Sequence, residues 1–161
     1  MEKPYTLSWS KLNATADQIE YQEISDGEIL VRLNSYSEAV LDALRKSLGP
    51  EAGYNEAAVK YLSNDLSTNR RKYVSEAKVK VANLYGCFLG TCIVQTYKGY
   101  CGRWVKWNGD LGVLLTLNSW SQTKITFPIS RSFKHIERGD ECSIYSYFMA
   151  IPEFVISQPS T

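Results

Sequence analysis

His135, the sole histidine in a chain of 161 residues, stands seven positions before Cys142, with Glu137 and Asp140 between them. Those residue types can work together as a nucleophilic site. Cys142 would attack, His135 would withdraw its proton, and Asp140 or Glu137 would orient the imidazole, the chemistry of a small cysteine-dependent hydrolase or transferase. Nearness in sequence does not supply that geometry, and no family-specific motif surrounds the thiol. The plainer assignment puts His135 near a helix terminus, makes Asp140 a cap and seats Cys142 in the core. The sequence favours it and assigns no catalytic residue.

Metal chemistry fares no better. One histidine removes the His-rich zinc sites, and the Cys87-x4-Cys92 pair with Cys101 and Cys142 lacks the Cys-x2-Cys spacing that structural zinc uses. No metal and no cofactor is expected. Gly86 and Gly90 lie inside a helical pattern, not between a strand and a helix start, so they form no phosphate loop. The N-terminus lacks a secretory signal, and no segment approaches eighteen uninterrupted apolar residues. The expectation is a cytoplasmic protein without a membrane partner, its four cysteines reduced and packed as small hydrophobes.

Eighteen Lys and Arg stand against seventeen Asp and Glu, for a formal charge of +1. The basic run Asn69-Arg-Arg-Lys72, with Arg103, Lys106, Arg131, Lys134 and Arg138 near the aromatics, suggests a nucleic-acid surface, but so small a net charge disfavours that reading. Eleven Tyr and four Trp are more telling, because these side chains join a large apolar body to a polar tip and suit contact surfaces. In Arg103-Trp-Val-Lys-Trp107 strand alternation puts Trp104 and Lys106 on one face, with Val105 and Trp107 on the other. One tryptophan must therefore face the more solvated side. Trp104, Trp107, Tyr100 and Trp120 are the candidate binding surface, suited to a protein partner or a second copy of the chain.

The positioning elements follow from periodicity. Residues 1–34 read as an extended arm or strands: Tyr5, Leu7 and Trp9 alternate, and Ile29-Leu-Val-Arg-Leu33 follows the turn signal Ser25-Asp-Gly27. Residues 35–97 read as helical. Ser35 or Ser37 caps a short helix through Leu48, Asn55 caps a second that Ser67-Thr-Asn69 interrupts, and a long central helix spans Arg70 to about Tyr97. That helix carries a strip of small residues, Gly86, Cys87, Gly90 and Thr91. Helix-interior glycine costs roughly 1 kcal/mol relative to alanine, so close approach of another element is expected there. Residues 98–150 read as a hairpin turning at Asn108-Gly109, a strand Lys124–Phe127, a short helix capped by Ser130 and stopped at Gly139, and a segment Ser143–Phe148 that fits helix or strand. The fold class is α+β, one domain over 1–161, with a central long helix on a mainly antiparallel sheet.

The segments Leu84-Tyr-Gly-Cys-Phe-Leu-Gly90, Gly102-Arg-Trp-Val105, Phe127-Pro128 and Phe133-Lys-His-Ile-Glu-Arg-Gly139 resemble a set of uncharacterised bacterial domains. In these a Leu-Gly helix precedes a Gly-Arg-Trp-Val strand, a turn with proline and phenylalanine, and a short helix closing on glycine. This chain reverses the order of the proline and phenylalanine, and residues 1–69 fall outside the likeness. The resemblance implies a bacterial origin and an α+β fold. Some similar domains act as immunity or accessory proteins, which implies a non-enzymatic binding role.

Overall fold

The computed structural model describes residues 21–117 and 122–156. A two-residue strand, β1 (Gln22–Glu23), leads into α1 (Gly27–Leu48), α2 (Glu56–Asn69) and α3 (Ser75–Thr96). Strands β2 (Arg103–Trp107), β3 (Asp110–Leu117) and β4 (Gln122–Thr126) follow, and then α4 (Pro128–Arg138), α5 (Ile144–Met149) and α6 (Ile151–Ile156). The strands form one antiparallel sheet in the order β1-β2-β3-β4. The α+β class is therefore the architecture observed, with α3 as the central helix.

The hairpin turns where the Asn-Gly pair placed it. Asn108 and Gly109 have φ of 52° and 82°, and both central residues of a type I′ turn need positive φ. That turn sets the register, pairing Trp104 with Val113 and Leu114 with Ile125 through the next ladder. Because side chains alternate, Trp104, Val113 and Leu115 face the helices, where they join Phe88, Cys92 and Ile93 of α3 in the main core. Val105, Leu114, Ile125 and Phe127 make a second cluster on the other face, with Tyr21 and Trp107 packed against it.

The glycine strip of α3 explains the close packing. A Cβ built on Gly86 would overlap the Cα of Ile129, at the start of α4, and one built on Gly90 would overlap the ring of Trp104. Backbone and indole thus come closer to α3 than any side chain would allow. By length and hydropathy α3 could cross a membrane, but from Gly86 to Gly90 every residue is buried inside this fold, as are Cys92 and Ile93.

Several expected elements differ. Ile29–Leu33 is not a strand but part of α1, which begins at Gly27 because the Asp26 carboxylate accepts a hydrogen bond from the Glu28 N–H, 2.9 Å. A run of Ile, Leu, Val and Leu is too short for its period to separate strand from helix. Ser35 and Ser37 cap nothing: Ser37 is buried within α1 and its hydroxyl lies 2.8 Å from that of Thr91 on α3. Helix α3 starts at Ser75, not Arg70, since Arg70–Lys72 closes α2 with a 3-10 turn and Val74 is extended. Pro128, with its φ already helical and no N–H to satisfy, opens α4, leaving Ser130 buried in the helix. Asn55 does cap α2, and Gly139, at φ 77°, does end α4. Residues 144–149 are helical, capped by Ser143, whose hydroxyl accepts from the Ser146 N–H; Asp140 sits instead in a 3-10 turn and caps no helix. Tyr5, Leu7, Trp9 and Trp120 lie outside the described residues.

Candidate functional site

Helix α4 carries His135 inward to complete burial, between α2 and α5. Its Nδ1 accepts a hydrogen bond from the Ile144 N–H at 3.1 Å. A neutral imidazole that accepts at Nδ1 carries its proton on Nε2, and that N–H faces the Ser67 hydroxyl at 2.8 Å. Ser67 in turn donates to the Asp140 carboxylate. The order is histidine, serine, aspartate, so the carboxylate polarises the serine and does not orient the ring. Burial holds the His135 pKa down, to about 4, against the opposing pull of Asp140. With its one lone pair committed to a backbone N–H, His135 can take no proton from a nucleophile without breaking that bond. The structure therefore brings His135 and Asp140 into one network through Ser67, a residue that sequence reasoning passed over, and bonds neither to Cys142.

The thiols are equally quiet. Cys87, Cys92 and Cys142 are buried, Cys101 is exposed, and no disulfide joins them. Burial pushes the Cys87 thiol up to about 12 and raises Cys92 as well. Among the described residues no cluster of three His, Cys, Asp or Glu side chains could hold a metal. An alkylating reagent near neutral pH is expected to label Cys101 first and the other three only on unfolding. Rapid labelling of Cys142 in the folded Cys101→Ser variant, followed by mass spectrometry, would restore the nucleophile reading.

The candidate binding residues do not share one surface. Tyr100 stacks on Tyr97 with centroids 6.1 Å apart, and Trp107 packs on Phe127 at 5.8 Å across the outer sheet face. Trp104 is on the opposite face, half-buried, with its indole laid over Gly90. There it lines a groove of about 430 Å³ together with Leu30, Asn34, Val94 and Gln95. Leu30 is 39% exposed, a large aliphatic side chain left open beside the indole. At the rim Arg103 holds Glu23 with two hydrogen bonds, 3.0 and 2.6 Å, which lowers the glutamate pKa; its guanidinium also lies 5.9 Å from the Tyr21 ring centroid. Leu30 and Asn34 belong to the part of α1 whose helical period the sequence concealed.

Several of the basic side chains are engaged within the domain. Arg103 is paired with Glu23, Arg70 donates to the Glu137 carbonyl at 3.3 Å, and Arg131 lies over the Tyr147 ring at 4.7 Å. What the fold defines is an α+β domain whose helices pack on one face of a four-stranded antiparallel sheet. No protein-family model matches the chain, and neither curated proteins nor solved structures include a significant match to it.

Proposed function

We propose that this domain is a non-enzymatic binding protein, of the bacterial accessory kind that includes immunity proteins, and that a protein partner docks in the Trp104 groove. The observation that supports the reading is the indole itself. Gly90 gives Trp104 a fixed seat, and the ring still borders an open groove beside exposed Leu30. A rigid aromatic with an apolar neighbour and a polar rim is the usual make-up of an interface anchor. The groove has the dimensions of one or two partner side chains, and the fitting occupant is a peptide segment presenting an aliphatic residue to Trp104.

The test uses peptides selected from a displayed random library against the folded domain, with affinity measured calorimetrically. Trp104→Ala is expected to weaken the selected peptides by tenfold or more, the range of an interface hot spot, and Trp107→Ala to leave them within about twofold. Equal affinity of wild type and Trp104→Ala would remove the groove from the account. So would a dominant loss in Trp107→Ala, which sits on the other face.

A further inference from the structure

On the other flank of α1 lies a second cavity, of about 390 Å³, between α1, α3, the β2–β3 turn and the start of α4. Two cations reach it from different elements, Arg32 from α1 and Lys106 from β2. Among the described residues neither makes a hydrogen bond or an ion pair, in contrast to Arg103, which is held by Glu23. Among the described residues no carboxylate lines this cavity, whereas the Trp104 groove carries Glu23 and the groove between α1 and α2 carries Asp65. Asn83 adds an amide and Tyr36 a hydroxyl, both likewise without a partner among the described residues. Leu33 and Cys87 make a dry floor, 5% and 1% exposed, and the thiol there is neutral.

Two positive charges lining one cavity, with no counter-ion among the described residues, favour an anion placed between them. An apolar floor under a small number of polar groups is the composition of a small-molecule site, and the volume is near the lower end of the roughly 300–1,000 Å³ such sites occupy. We infer that this cavity binds a small amphiphilic carboxylate, its anionic head between Arg32 and Lys106 and its apolar body against Leu33, Leu111 and Ile129. The site is independent of the Trp104 groove.

Fluorescence titration with 8-anilinonaphthalene-1-sulfonate, an aromatic anion, tests this directly. The expected result is one saturable site that weakens with salt, is displaced by decanoate and not by decanol, and loses at least tenfold in affinity in Arg32→Gln/Lys106→Gln. Lys106→Arg, which keeps the charge, should stay within a few-fold of wild type, and Trp104→Ala should not alter the titration. Unchanged binding in the double variant would overturn the inference, as would equal displacement by decanol. Loss of the probe in Trp104→Ala alone would move the site to the other groove and also overturn it. Displacement by a glutamate-rich peptide at lower concentration than decanoate would make the cavity a peptide site, contrary to what is inferred.

Discussion

Gly86→Ala is expected to destabilise the domain by about 3 kcal/mol, the upper part of the range for overpacking a close-packed core. The added methyl meets the Ile129 backbone, and also its side chain, with Cγ1 at 2.8 Å. Backbone at the first turn of a helix opened by Pro128 cannot step aside without moving α4 away from α3. Alanine's better helix propensity recovers at most about 1 kcal/mol. Gly90→Ala makes an instructive comparison, because its obstacle is the far end of the Trp104 ring, which the glycine seats in the native fold and which the added methyl can push into the open groove it borders. That variant should lose only about 1 kcal/mol, with a red-shifted tryptophan emission and a weakened groove. Urea unfolding of both variants checks the order; a Gly90→Ala cost equal to or above that of Gly86→Ala would mean that the indole is locked from both sides.

Acid is the second large effect. His135 has a folded pKa of about 4, below the ordinary histidine value of 6.5. Between those limits the unfolded chain binds a proton that the folded chain refuses, so stability falls as pH falls. The contribution is complete above about pH 6.5, is lost on the way down to pH 4, and changes no further below that. Linkage puts it at about 3 kcal/mol. Urea unfolding at pH 7 and pH 5 should show most of this difference. His135→Gln should be less stable at pH 7, since Ile144 N–H and Ser67 lose a fitted partner, and nearly flat across the same window. A wild type as stable at pH 5 as at pH 7 would contradict the buried, neutral ring.

Local chemistry accounts for what was legible in the chain. Asn108-Gly109 specified its turn because few residues tolerate positive φ twice in succession. Asn55 specified the start of α2 through a single side-chain hydrogen bond, to the Ala58 N–H. The glycines of α3 announced a close neighbour, because a helix keeps such residues against their propensity only where packing rewards it. Strand alternation likewise separated Trp104 from Trp107. Each of these signals is complete within a few residues.

The rest depended on partners far away in sequence. Ile29–Leu33 became helix because Leu33, Val40, Leu41 and Leu44 together bury one face against α3, a pattern visible only when Asp26 is recognised as the cap. Ser67 looked like a helix breaker and is instead the link between His135 and Asp140, 68 and 73 positions away. The sequence alone therefore determined the α+β class, the hairpin and the tight packing on the glycine strip, since turn angles and side-chain alternation are set by neighbouring residues. Tertiary structure decided that the imidazole takes a backbone N–H in place of a thiol, and which tryptophan borders a groove. It also decided that Arg32 and Lys106, from different elements, line one cavity, because each of these depends on contacts across the sheet and helices that no short-range pattern encodes.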